Sequence, residues 1–273
     1  MTAPTHANPE LRGYRLEAGT THALMIPGFM GTPSEFRPLA EDLANSGISA
    51  RSILLPGFGP DVETLPQVRL EQWISAAADA WREERESARR SVLIGFSMGG
   101  AIATAVAEQA GAPDALILLA PHIRFADRRA IAIPLLKYLM REFNPFANAD
   151  FSDPGVRAAF QEVAPDANLD DPEVQAMLRK QSAIPTAALH ELGKAGRLAD
   201  RAAPSISAPT LIIQGEDDTT TLPPYTRAFA KRFDGPVEIE MVPGGHQLVD
   251  PALSGYAATR DALVRHALGQ EQQ

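Results

Sequence analysis

The residues best placed to do chemistry surround Ser97, in the run Gly95-Phe96-Ser97-Met98-Gly99-Gly100. The apolar stretch 91–94 precedes it and an Ala-rich helical pattern, 98–109, follows. Gly-x-Ser-x-Gly at a strand-to-helix junction is the pattern of an elbow so tight that the flanking positions exclude large side chains and the serine hydroxyl is exposed. The next backbone N–H, that of Met98, then stands at a helix N-terminus. There it can donate to a developing oxyanion. An ordinary glycine-rich turn would share the five residues. The apolar strand before and the helix after favour the nucleophile.

A serine hydroxyl at neutral pH needs a general base, and the base needs a carboxylate to orient it. The chain has six histidines. His6 lies in the N-terminal tail, His22 opens a strand pattern, and His190 and His266 sit on helical patterns. His122 follows a strand and could edge a site as a lining residue. His246 is the best candidate base, because "VPGGHQLVD" is a glycine loop between the last strand and the last helix. The acid is expected after a strand that falls between serine and histidine. "TLIIQGEDDTTT" offers Glu216, Asp217 and Asp218, and spacing alone does not choose among them.

These groups need a scaffold that brings strand ends together. Strand-like runs at 22–26, 48–55, 91–94, 115–119, 210–214 and 237–242 alternate with helical patterns. The helices are expected near 33–46, 70–87, 98–109, 224–233 and 253–268, with Thr32 and Glu35 forming a capping box ahead of the first. Alternation of this kind predicts an α/β fold, a mostly parallel sheet with helices on both faces and ligands at the carboxyl ends of the strands. The rhythm breaks after the strand ending near Leu119. Residues 123–208 read as a proline-divided helical insertion, a cap between two core segments, 11–122 and 209–270. Residues 1–10 read as a disordered tail.

The order Ser97, acid, His246 resembles the α/β-hydrolase superfamily, and within it the bacterial carboxylesterase and monoacylglycerol lipase group. "IPGFMGTPSEFRPLAEDLANSG", "LIGFSMGG", "APTLIIQGEDDTT" and "VPGGHQLV" carry the resemblance, in order, over about 22–250. It implies Asp218 as the triad acid and the N–H groups of Phe29 and Met98 as the oxyanion hole. It also implies acyl transfer through an acyl-enzyme, with no metal and no cofactor. Pro27 departs from the family pattern, which often has histidine there, so the support of the first loop must differ.

An insertion rich in apolar residues between 130 and 146, with Met30 and Phe58 beside the site, points to an apolar acyl group of short to medium length. Met30, Phe58, His122, Leu136 and Met140 are the candidate pocket residues. For most apolar residues of the insertion, packing onto the core is the simpler role. The expected partner is a small ester. Cleavage of amide or C–C bonds on the same triad is an alternative, and so is a catalytically silent ligand-binding protein.

Composition narrows the field. With 45% apolar and 22% charged residues in 273, the chain can bury a large core. A net charge of −9 argues against nucleic acid or an anionic membrane as an electrostatic partner. There is no cysteine, so thiol catalysis and disulfides are excluded. The N-terminus lacks a signal-peptide pattern, and no apolar run reaches the roughly 18 residues of a membrane span. The expectation is a soluble cytoplasmic protein.

Overall fold

The computed structural model describes residues 9–144, 147–163, 167–181 and 183–269. Most of the expected tail and the end of "GQEQQ" lie outside the described residues, as does Phe146. The chain divides into two units, one drawn from residues up to 128 and from 191 onward, the other from 129–190.

The first unit is built on a seven-stranded sheet. Its strands are β1 (Gly13–Leu16), β2 (Thr21–Ile26), β3 (Ile48–Ile53), β4 (Arg90–Phe96), β5 (Ala115–Leu119), β8 (Thr210–Gly215) and β9 (Val237–Val242), in the order β1-β3-β2-β4-β5-β8-β9. Every pairing is parallel except that of β1 with β3. The expected α/β sheet with helices on both faces is the one observed.

The central strands are apolar along their length because helices cover both of their faces. On one face Ala23, Met25, Val92, Ile94, Ile117 and Ile213 pack with Leu39 and Leu43 of α1 (Arg37–Asn45) and Leu263 of α9 (Tyr256–Ala267). Against the other lie α2 (Leu70–Ser87) and α3 (Met98–Gln109). Trp73 and Trp81 of α2 are fully buried, and each indole N–H reaches a carbonyl, of Pro56 at 2.9 Å and of Gly111 at 2.8 Å. α8 (Pro223–Ala230) packs on β8.

Two local expectations change. Four residues form β1, where no strand is expected. The capping box is not made: Thr32 bonds the Ser34 hydroxyl, the chain enters α1 through a 3-10 turn (Pro33–Phe36), and Glu35 is used elsewhere. Gly47 does end α1, with φ +80° and its N–H on the Ala44 carbonyl.

The second unit holds α4 (Ile133–Leu139), α5 (Pro154–Val163), α6 (Pro172–Gln181) and the start of α7 (Thr186–Ala202), with a small antiparallel pair, β6 (Glu142–Phe143) and β7 (Ile184–Pro185). Its own core is Phe151, Phe160, Leu169 and Leu178. α4 stops at Leu139, and the chain turns extended into β6. Ile131, Leu135, Leu139, Met140 and Phe143 are exposed rather than packed, so core packing does not account for them.

Candidate active site

The strands β2, β4, β5, β8 and β9 run parallel, so the loops after them emerge at one edge of the sheet. Phe29, Ser97, His122, Asp218 and His246 all follow those strand ends.

Ser97 joins β4 to α3 with φ 52° and ψ −115°, a conformation that L-residues rarely adopt. Both of its backbone groups are held by the end of β5 and the residues just after it. Its N–H donates to Leu119 (2.8 Å), and its carbonyl accepts from His122 (2.9 Å). The glycines are obligatory. A Cβ on Gly95 would lie 2.2 Å from the Gly99 carbonyl oxygen, and one on Gly99 would lie 2.0 Å from that of Ile26. Within 91–100 only Ser97 keeps partial exposure.

Three side chains meet there. His246 Nε2 lies 3.0 Å from Ser97 Oγ, and His246 Nδ1 lies 2.8 Å from Asp218 Oδ2. Of the three adjacent acids, Glu216 and Asp217 are exposed while Asp218 is buried. The Asp218 carboxylate is densely hydrogen-bonded. Oδ1 accepts the N–H groups of Thr220 and Thr221, both at 2.8 Å. Oδ2 accepts the Thr221 hydroxyl at 2.7 Å and Gln214 Nε2 at 2.8 Å. Burial alone would push this carboxyl up. The bonds from His246 and Thr221 outweigh it and hold the group below the usual aspartate range. Gln214 is fixed in turn by the Thr226 hydroxyl on its Oε1 at 2.6 Å.

His122 is buried with its ring edge-on to Phe125, and among the described residues its Nε2 has no hydrogen-bond partner. Burial, with a smaller contribution from His246, lowers it to about 4, so it is neutral at physiological pH. A neutral ring there adds no charge to oppose a protonated His246.

The loop after β2 approaches Ser97 closely: a Cβ on Gly28 would lie 3.5 Å from that of Ser97. Gly28–Gly31 is a turn closed by the Gly31 N–H on the Gly28 carbonyl (3.1 Å), with Met30 left-handed at φ 59°. Turn closure does not use the Phe29 N–H. The Phe29 ring packs edge-on against Phe58 and Trp73, centroids 5.7 and 6.3 Å away. Phe58 is fully buried and so backs this loop, while Met30 is half-buried. Met98 opens α3, so the helix's own ladder does not consume its N–H. In the second unit, Leu136 is half-buried on α4 and Met140, just past it, is exposed.

Sequence reasoning passed over Gln214, Thr221 and Glu35. Gln214 had a signal, as the polar residue near the end of an otherwise apolar strand. Thr221 had one in the Asp-Thr-Thr-Thr turn, where an Asp side chain meets following N–H groups. Glu35 was masked by its fit to a capping box. Its carboxyl accepts the Gly28 N–H at 2.9 Å, and burial raises it to about 7 against the lowering effect of that bond.

Comparison with known proteins agrees with the fold. The pattern of the alpha/beta hydrolase family matches residues 23–262. A thermostable monoacylglycerol lipase from Bacillus sp. (strain H-257) is 29% identical over 92 residues, a match covering 34% of this chain and 37% of that protein. The structure of a monoacylglycerol lipase from Paleococcus ferrophilus superposes with TM-score 0.70 at 17% identity, over 96% of this chain and all of the other. A soluble variant of monoglyceride lipase from Saccharomyces cerevisiae gives 0.73 at 14%, over 96% and 92%. At such identities the two structures speak to the fold alone. No helix among the described residues is long and apolar enough to cross a membrane.

Proposed function

The chain belongs to the alpha/beta hydrolase family, and from that premise we propose that it is a serine hydrolase of carboxylic esters with an apolar acyl group, similar in activity to monoacylglycerol lipases. The observation that carries the reading is the unbroken line from Ser97 Oγ through His246 (3.0 Å) to Asp218 (2.8 Å).

In this reading Ser97 Oγ attacks the ester carbonyl as His246 Nε2 takes its proton. Asp218, acceptor to Nδ1–H, fixes the tautomer that leaves Nε2 free and stabilises the imidazolium that forms. The carbonyl electron pair moves onto oxygen, where the Phe29 and Met98 N–H groups receive it. The tetrahedral intermediate collapses, the C–O bond breaks, and Nε2 returns the proton to the leaving alcohol. Water then repeats both steps on the acyl-enzyme and releases the acid. Met30, half-buried in the turn beside Ser97, is the candidate contact for an apolar acyl group.

The test is a series of p-nitrophenyl esters of rising acyl length, run on the wild type and on Ser97→Ala. Expected are turnover that peaks at a short-to-medium chain and a loss of roughly 10⁴-fold or more in kcat for the variant. Undiminished hydrolysis by Ser97→Ala would sink the proposal.

A further inference from the structure

The loop after β2 poses a problem that its sequence does not solve. Met30, a bulky residue, is held left-handed at φ 59°, a conformation that costs about 1–2 kcal/mol without compensation. Pro27, just ahead of the turn, is a proline and offers no N–H to anchor the loop. Something else must hold the turn.

Glu35 meets that need on two counts. Its carboxyl accepts the N–H of Gly28, the residue that begins the turn. It also fills the space beside Gly31, the residue that ends it: a Cβ there would lie 2.6 and 2.7 Å from the two carboxyl oxygens. The 3-10 turn (Pro33–Phe36) is what brings Glu35 back over the loop, its N–H bonded to the Thr32 carbonyl at 3.1 Å. Between the two anchored glycines lies Phe29, whose ring is wedged against Phe58 and Trp73.

We infer that Glu35 is a positioning residue for the oxyanion hole: its carboxyl, seated inside the Gly28–Gly31 turn, holds the Phe29 N–H toward the oxygen that forms over Ser97. The inference rests on the esterase reading above. It does not need Glu35 to be charged, because an uncharged carboxyl or amide oxygen accepts the same N–H. Burial already favours the neutral form.

The experiment compares Glu35→Gln with Glu35→Asp. Glutamine keeps an acceptor oxygen at the same reach, whereas aspartate keeps the charge but falls one methylene short of Gly28. Melting temperature, kcat and KM on p-nitrophenyl butyrate, and the rate of Ser97 labelling by a fluorophosphonate are measured for each. The labelling adduct is tetrahedral and needs the same hole without ester turnover.

Misplacing one donor by about 1 Å costs up to about 100-fold, so Glu35→Asp is expected to lose about 10- to 100-fold in kcat and in labelling rate, with KM within about threefold. Glu35→Gln is expected to stay within about threefold of the wild type. If Glu35→Asp does not fold, Gly31→Ala is measured in its place, since its methyl must push the carboxyl aside, and the same loss is expected. Wild-type rates in the aspartate or alanine variant overturn the inference, as does a loss in Glu35→Gln that equals it. Those results leave the esterase reading intact. A wild-type protein that neither turns over esters nor labels overturns both.

Discussion

Gln214 Nε2 donates to Asp218 Oδ2 at 2.8 Å, on the same oxygen that receives His246 Nδ1. Gln214 ends an apolar run of β8 and is wholly buried, with its other amide atom held by Thr226 at 2.6 Å. It thus ties the orientation of the carboxylate to the sheet. Gln214→Leu is expected to destabilise the fold by about 1–3 kcal/mol, since the Thr226 hydroxyl loses its acceptor. It is also expected to lower kcat about tenfold with KM little changed, because the histidine's partner is less well aimed. Urea unfolding and steady-state kinetics on one preparation separate the two effects. Unchanged kcat in a folded variant would show that the Thr220, Thr221 and His246 bonds suffice.

Gly99→Ala is expected to be more damaging than most single methyl additions. The new Cβ would sit 2.0 Å from the Ile26 carbonyl oxygen and 2.6 Å from that of Pro27, both backbone atoms that cannot swing away. Relief requires α3 to lift from β2, which moves the Met98 N–H and the loop carrying Phe29 together. Loss of several kcal/mol of stability, or failure to accumulate as folded protein, is the expected outcome. Gly47→Ala is the contrast, because nothing lies within 4 Å of that position and only its φ of +80° resists. It should cost about 1 kcal/mol. Thermal melts of the two variants side by side check the ranking.

The parallel sheet was legible because β4, β5 and β8 are buried on both faces and so read as unbroken apolar runs. β1 was not, for the opposite reason. It is a four-residue edge strand, half-buried throughout, and carries Arg15, whose charge is met by the buried Glu84 of α2. No pattern within 13–16 announces a partner 69 residues away. The Ser97 elbow could be read locally, since its glycines, strand and helix are contiguous. The choice of Asp218 over its neighbours needed the resemblance, because burial is decided by how the loop after β8 folds back on Gln214 and Thr221. Glu35 was misread because a local rule fitted it while a tertiary contact, the Gly28 N–H, used it. The insertion was readable as helical, but α4 ends where Glu142 pairs with Pro185, a contact between distant segments.

Stability should respond to pH through Glu35. Burial raises this carboxyl from 4.5 to about 7, so the folded protein keeps a proton that the unfolded chain has already released. Stability from this group is therefore greatest below about pH 4.5 and declines as pH rises through 7. Glu35→Gln lacks the ionisation. Relative to the wild type it should gain as pH rises, to a plateau above pH 7 of at most about 3 kcal/mol. Urea midpoints at pH 4.5, 6 and 8 for both proteins give the difference directly, with other titrations common to both. A difference that does not vary with pH would mean that Glu35 ionises as an ordinary surface carboxyl.

His122 gives the reverse slope on the acid side. Its folded form is depressed from 6.5 to about 4 by burial and by His246, so the unfolded chain binds a proton that the folded chain refuses. Stability from this group is full above about pH 6.5 and is lost as pH falls toward 4. His122→Phe removes the penalty while keeping a flat ring beside Phe125. Measured against the wild type, it should gain progressively between pH 6.5 and 4, by up to about 3 kcal/mol. At pH 8 the variant should be no less stable than the wild type, because Nε2 is buried without a partner among the described residues and phenylalanine leaves no polar atom to satisfy. A pH-independent difference would place the proton on His122 in the folded state, and a large loss at pH 8 would reveal a hydrogen bond that the ring makes in solution.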